Sequence, residues 1–264
     1  MPARASQRLL YVAFNKAIQL EAQAKMPVNV QCRTTHSIAY RKAKQLFVDQ
    51  DRVKVGYTYA SSAAKVLGCS ALIASGALQT IARWCCTLDD AINPSHMPPD
   101  IALRLAHPGA LVDAARELWR HMLDVRMTDI RLPHDGYLKL FQMERPTLRG
   151  FDVITVDESQ DLNLCTPDIV ARQRADLVLV GDPHQNIYGV RASVNALALI
   201  HAQERLLLTR SFRFGQGIAA QANVLLSHFK DAGEPRRTAF TIQLDKPFAV
   251  IARTNASESS EKSP

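Results

Sequence analysis

Two short segments hold the residue types that could do chemistry in this chain. The first is FDVITVDESQD, residues 151–161, in which an apolar run from Phe151 to Val156 delivers Asp157 and Glu158 to a loop. Adjacent carboxylates at a strand end can divide labour. One can hold Mg²⁺, which takes few carboxylates and completes its shell with phosphate oxygens and water. The other can position or deprotonate an attacking water. A metal-dependent nuclease uses such acids too, and a solvated acidic strand end reads the same way, so the motif alone leaves these open. The second segment is VLVGDPHQNIYGVRAS, residues 178–193, where another apolar run ends in Gly181-Asp182. Gln185 offers an amide to a phosphate oxygen or water, Tyr188 an aromatic face and Arg191 a fixed positive charge. That mixture suits contact with both phosphate and base. A Gly- and Pro-bearing turn with Tyr188 packed into the core accounts for the same residues without chemistry.

These loops need a frame, and the hydrophobic pattern supplies one. Apolar runs also occur at Leu9 to Phe14, Val28 to Cys32, Leu206 to Leu208 and Phe248 to Ile251, each running into a polar cluster. Near-continuous apolar strands suit a parallel sheet covered on both faces. Helical spacing fills the intervals Asn15 to Met26, Thr35 to Leu46, Asn195 to Gln203 and Gln216 to Lys230. Alternating strands and helices predict an α/β, doubly wound fold, whose ligands gather at the carboxyl ends of its strands. Residues 55–129 are Ala- and Leu-rich with helical spacing, broken by Pro94, Pro98, Pro99 and Pro108, and read as a helical insertion. The expected organisation is therefore one α/β domain from 1–54 and 130–204, the insertion at 55–129, the start of a second domain at 205–256, and a disordered polar tail at 257–264.

Bulk properties narrow the classes. With 47% hydrophobic and 22% charged residues, the 264-residue chain can form a sizeable core. A net charge of +7 leans toward polyanions without specifying one. The five cysteines, Cys32, Cys69, Cys85, Cys86 and Cys165, contain no C-x-x-C pair, which argues against a disulfide framework or zinc site and for idle thiols in a reducing compartment. No secretory leader or membrane-length apolar run is present, and a cytoplasmic protein is expected, nucleoid-associated if bacterial.

The order DESQD then GDPHQNIYGVR resembles motifs II and III of UvrD/Rep-type superfamily 1 DNA helicases, in the F-box DNA helicase-like branch. YVAFNKAIQLEA (11–22) looks like motif Ia, CRTTHSIAYR (32–41) like motif Ib, and HDGYLKLFQ (134–142) like the segment before motif II in that branch. LTRSFRFGQGIA (208–219) resembles motif IV, and AVIARTNA (249–256) the strand beyond it. The similarity runs from Leu9 to Ala256 and is weakest in the helical insertion.

The resemblance implies a RecA-like, P-loop NTPase-type sheet with a partial second RecA-like domain, driving ATP-dependent 3′-to-5′ translocation and unwinding of DNA. It implies that Asp157 binds Mg²⁺, Glu158 activates water, Gln185 senses the γ-phosphate, and Arg213 is an arginine finger. Asp182 lies beside the nucleotide, Phe212 stacks near the adenine, and Gln160 and Asp161 couple nucleotide to DNA. Single-stranded DNA would meet Phe14, Asn15, Thr35, His36, Ser37, Tyr188 and Arg191. For His36 alone, a capping or core histidine is the plainer account. Two departures bear on strand grip: Val190 stands where the family has a bulky aromatic, and Thr35 replaces a frequent phenylalanine.

A Walker A loop, G-x-x-x-x-G-K-[ST], is not found, since no Gly-Lys dipeptide occurs in the 264 residues. Motifs V and VI are also missing. The expectation is a chain truncated at both ends, with weakened ATP and Mg²⁺ binding and negligible hydrolysis alone. A separate polypeptide could supply the missing motor parts. The competing readings are a non-catalytic single-stranded DNA-binding module, one part of a split helicase, and an inactive remnant.

Overall fold

A computed structural model describes residues 7–47, 54–182, 185, 196–208, 210–229 and 237–240. The chain divides into two units, 1–201 and 202–264. In the first, strands β1 (Leu9–Ala13), β2 (Val30–Thr34), β3 (Val153–Val156) and β4 (Asp176–Leu179) form one parallel sheet in the order β2-β1-β3-β4. The registers Tyr11↔Thr155 and Val156↔Leu179 bring the ends of β1, β3 and β4 to one edge. The protein is α/β, as its alternating pattern predicts.

The sheet is not buried equally on both faces, which corrects the expectation of two covered faces. Burial alternates along β1 and β3. Leu10, Val12, Ile154 and Val156 pack with Leu162 and Val170 into a small core on one side, while Leu9, Tyr11, Val153 and Thr155 on the other are half-buried. Helix α1 (Lys16–Lys25), between β1 and β2, explains part of this, because it buries no side chain. It serves the outer edge of β2 instead. The Gln19 amide donates to the Cys32 carbonyl at 3.0 Å, and Gln23 Oε1 accepts from the Cys32 N–H at 2.9 Å. Unpaired backbone groups on an edge strand invite foreign pairing, and these side chains occupy them.

Helix α2 (Thr35–Leu46) starts directly at the end of β2. The Thr34 hydroxyl accepts from the Ser37 N–H, and the Ser37 hydroxyl accepts from the Thr34 N–H, both at 3.1 Å, a reciprocal cap that fixes the helix start. The chain then enters a helical layer: α3 (Ala60–Leu67), α4 (Ala71–Trp84), α5 (Pro99–Ala102), α6 (Gly109–Leu123) and α7 (His134–Met143), followed after β3 by α8 (Cys165–Ala171). Pro108 immediately precedes α6, and the prolines at 98 and 99 open α5. A parallel bridge from Val55 to Leu132 closes the excursion where it began. Its core includes Trp84, Leu111 and Leu118, and continues without a break into Ala39 and Ala43 of α2, Phe141 of α7 and Ile169 of α8. The helical layer and the helices covering the sheet thus share one apolar interior. No single helix among the described residues is long and apolar enough to cross a membrane.

Two expected elements differ. The helix expected over Asn195 to Gln203 is one turn, α9 (Ala196–Leu199). In the second unit the strand falls not on Leu206 to Leu208, which are exposed, but on β5 (Arg210–Gly215). The alternation Ser211-Phe212-Arg213-Phe214 is a period-2 pattern, whereas three consecutive leucines carry no face preference. There β5 pairs in parallel with β6 (Arg237–Phe240), and α10 (Gln216–Phe229) connects them. The expected strand at Phe248 to Ile251 and the tail at 257–264 lie outside the described residues.

Candidate functional site

The loop after β3 is built under strain. Glu158 sits in the left-handed region at φ +51°, which costs a residue with a Cβ about 1–2 kcal/mol. The surroundings hold it there. The N–H of Ser159 donates to the Val180 carbonyl at 2.9 Å, and the Ser159 hydroxyl to the Val156 carbonyl at 2.9 Å, tying the loop to β4 and β3. A short 3-10 turn, Ser159–Asp161, follows. The chain reverses within one residue, so Asp157 and Glu158 stay at the strand tip.

A hydrogen-bond chain then links the two candidate motifs. Gln160, 1% exposed, donates from Nε2 to Glu158 Oε2 at 2.6 Å. Its Oε1 accepts from the Asp182 N–H at 3.1 Å. Asp182 Oδ2 accepts in turn from Gln185 Nε2 at 2.8 Å. Gly181 makes this approach feasible, since a Cβ there would lie 2.5 Å from Gln160 Oε1 and 3.0 Å from the Ser159 nitrogen. The structure therefore brings Glu158, Gln160, Asp182 and Gln185 into one contiguous set. Asp157 sits beside them, with Oδ1 accepting from the Glu158 N–H at 3.0 Å.

The residue that the sequence reading missed here is Tyr11. Its hydroxyl donates to Asp157 Oδ2, and burial followed by this carboxylate contact pushes the phenol well above its ordinary range. The signal lay in the strand register. With Tyr11 opposite Thr155, Asp157 two residues on faces the same side of the sheet. Register between distant strands is not written in either strand alone.

The donor set suits the cofactor that the resemblance implies. Asp157, Glu158, Asp161 and Asp182 offer only hard oxygen ligands, and Asp161 Oδ1 is buried with no hydrogen-bond partner among the described residues. No group of three or more His, Cys, Asp or Glu side chains among the described residues is arranged to enclose a metal. Mg²⁺ takes one or two carboxylates, with phosphate and water completing its octahedron, and Asp157 with its neighbours could provide them.

The candidate strand contacts lie at the same edge. Phe14 is 38% exposed just past β1, and Asn15 Oδ1 caps α1 by accepting from the Ile18 N–H at 2.9 Å. Thr35, His36 and Ser37 open α2, with the Ser37 hydroxyl engaged in the cap. His36 Nε2 lies 3.1 Å from Asp135 Oδ1, and its ring meets Tyr137 and His134 edge-on. Asn163, in the loop after the carboxylates, also reaches Asp135 at 3.4 Å. Burial pushes the Asp135 carboxyl up, but His36 and Asn163 outweigh it and hold it below its ordinary value. Asp135 and Asn163 were not singled out in the sequence, although Asp135 lies in the HDGYLKLFQ segment. Tyr188, Val190 and Arg191 lie outside the described residues. Phe212 and Arg213 fall on β5 of the second unit.

The cysteines are chemically quiet. Burial pushes the thiols of Cys86 and Cys165 up to about 12, and Cys85 well above the ordinary range, and all five are free.

Residues 138–204 match the UvrD/REP helicase N-terminal domain. The chain is 36% identical over 230 residues to F-box DNA helicase 1 of Gallus gallus, a match covering 80% of this chain and 22% of that protein. It is 32% identical over an alignment of 295 residues to F-box DNA helicase protein 1 of Schizosaccharomyces pombe, covering 96% and 33%. A shorter match, 27% over 150 residues, joins it to the ATP-dependent DNA helicase srs2 of Schizosaccharomyces pombe, covering 54% and 16%. The chain spans a third or less of the length of these relatives.

Proposed function

We propose that this chain, which belongs to the UvrD/REP helicase family of ATP-dependent DNA helicases, supplies the carboxylate edge and the single-strand track of an ATP-driven DNA motor. The observation that carries the reading is the hydrogen-bonded chain Glu158–Gln160–Asp182–Gln185, which ties together two loops at adjacent strand ends. In this reading the four strands are part of a RecA-like sheet with its nucleotide at the carboxyl edge.

Each side chain has a task. Asp157, steadied by Tyr11, would hold Mg²⁺, which supplies charge neutralisation on the phosphate oxygens. Glu158 orients the attacking water and accepts its proton, with its carboxylate held by the Gln160 amide. Gln185 responds to the terminal phosphate, and Gln160 transmits a shift at Asp182 directly to Glu158. Arg213 is assigned the transition-state charge and Phe212 the adenine face by resemblance alone. Phe14 and His36 meet the strand, through stacking and a polar contact that tolerate any base sequence.

The 264 residues contain no phosphate loop with its lysine, so hydrolysis needs that element from elsewhere, and the chain alone is expected to bind ATP weakly and not turn it over. Its strand binding needs no ATP. Fluorescence anisotropy with oligothymidine measures it. Phe14→Ala is expected to weaken retention by about 1–3 kcal/mol, the worth of one stacked base. Unchanged affinity in Phe14→Ala and His36→Ala together would remove the strand track from the proposal.

A further inference from the structure

A groove remote from the carboxylates is lined by Arg41, Glu144, Arg145, Pro146, Thr147 and Arg149. Three of these six residues are arginines. Its one acid, Glu144, is already paired with Lys42. None of the three guanidiniums forms an ion pair among the described residues, whereas Arg116, Arg120, Arg126 and Arg172 each do. Like charges gathered in one concavity repel each other and raise the local potential, so the arrangement favours an anion over empty solvent.

The backbone holds the groove in place. Arg145 lies in the left-handed region at φ +49°, and Gly150 follows at φ +84°. Arg145→Gly would relieve the first of these, yet an arginine occupies it. Gly150 is crowded by a fourth cation, since a Cβ there would sit 3.0 Å from an Arg8 guanidinium nitrogen. Arg41 is braced with its guanidinium carbon 4.9 Å from the centre of the Phe141 ring. Asp152 is not among the residues that line the groove; its Oδ2 accepts from the Arg8 backbone N–H at 2.8 Å.

Position selects the ligand. Arg149 precedes β3, whereas Asp157 and Glu158 follow it, so the groove is at the opposite end of the sheet from the candidate nucleotide edge. It nevertheless connects to the strand track along α2. His36 and Tyr40 are one turn apart on that helix, both meet Tyr137 edge-on, and Lys44 lies over the Tyr40 ring at 5.7 Å. Arg41 is the next residue. Tyr137 is buried beneath this row, and the accessible rings of His36 and Tyr40 lie beside Arg41 and Lys44, a mixture of ring and cation that suits a nucleic-acid backbone.

We infer that the Arg41–Arg145–Arg149 groove is a second, sequence-independent phosphodiester-backbone site, extending the single-strand track from His36 down the flank of α2. The extension rests on the strand-binding reading, while the groove itself stands on its own geometry.

The test uses the full chain and labelled oligothymidine, with affinity followed across a salt titration. The variant Arg41→Gln/Arg145→Gln/Arg149→Gln is expected to bind at least about tenfold more weakly at low salt, and the slope of log affinity against log salt should fall by about 2, or roughly 0.7 for each lost phosphate contact. Unchanged thermal unfolding shows that the variant is folded, and Arg149→Gln alone should lower the slope by about 0.7. The all-lysine counterpart should keep most of the slope. Phe14→Ala, measured in parallel, separates the two claims. Loss there with no change in the arginine variant overturns the groove and spares the track, and the converse overturns the track alone. If the arginine variant loses only poly-glutamate binding, the groove belongs to an acidic protein surface and the proposal fails. A wild-type chain that binds no strand at low salt overturns both.

Discussion

The helical layer and the carboxyl edge of the sheet are built on opposite principles. In the helical layer Trp84 and Trp119 meet edge-on at 5.0 Å, and the surrounding aliphatics are fully buried. At the sheet edge the buried groups are polar. Gln160 bridges two loops, Asp161 Oδ1 has no partner among the described residues, and Glu158 is strained. Apolar packing is cooperative and forgiving of chemistry, whereas a buried polar chain is worth having only when every member is satisfied. Apolar burial is concentrated in the first region and the proposed chemistry in the second. Strain at Glu158 is tolerated because the helical layer and its shared core secure the sheet from behind.

That contrast can be broken most forcefully at Trp84. Trp84→Ala should cost about 3–5 kcal/mol, since it removes a packed ring and leaves the Asp89 carbonyl without its indole donor. Urea unfolding measures it, and a loss below 1 kcal/mol would deny the helical layer its role. Gly181→Ala comes next, because the new Cβ collides with Gln160 and the Ser159 backbone. About 1–3 kcal/mol is expected, with the Glu158–Asp182 linkage lost. In Glu158→Gly two effects oppose each other. Relief of the left-handed backbone is worth about 1 kcal/mol, whereas loss of the acceptor for buried Gln160 Nε2 costs about 1–3 kcal/mol, so a net loss of no more than about 2 kcal/mol is expected by urea unfolding. A stabilised glycine variant would show that the Glu158–Gln160 contact contributes nothing to folding.

The smallest effect is expected at Asp135, half-exposed beside His36. Its carboxyl is held below the value of about 3.9 found in unfolded chains. The resulting stabilisation is therefore present above about pH 4 and lost as pH falls through the lower folded value. Asp135→Asn should lower stability at neutral pH by less than about 1 kcal/mol, as half-exposed pairs do, and should make acid unfolding begin from a lower starting stability. An acid transition identical in depth to the wild type would contradict the pairing.

Local patterns made much of this visible in the sequence. The apolar runs at Leu9, Phe151 and Leu177 became strands within two residues, and the polar residues after them became the candidate site. Helix α2 has the limits its spacing predicts, because Thr34 and Ser37 form a cap that is local in sequence. What sequence could not give depends on distance. Tyr11 meets Asp157 across 146 residues of chain, and His36 meets Asp135 across 99. Gln160 was singled out by resemblance, but its amide bridging Glu158 to Asp182 follows from the strand order, not from its own segment. The left-handed Glu158 was equally invisible, since nothing in its residue type announces a conformation imposed by tertiary contacts. The α1 glutamines that serve the β2 edge look in sequence like an ordinary solvated helix face.

Glu158 as the water-activating group of an ATP-hydrolysing edge is the assignment on which the proposed function rests. It is tested by fusing, from one family relative, the strand–loop–helix bearing G-x-x-x-x-G-K-[ST] ahead of Gln7 and the segment bearing motifs V and VI after Ala256, and measuring ATP hydrolysis with oligothymidine. Strand-stimulated hydrolysis is expected, falling at least about a hundredfold in Glu158→Gln, the scale of a lost general base, with nucleotide binding retained. A fusion that hydrolyses ATP equally well with Glu158→Gln would contradict it.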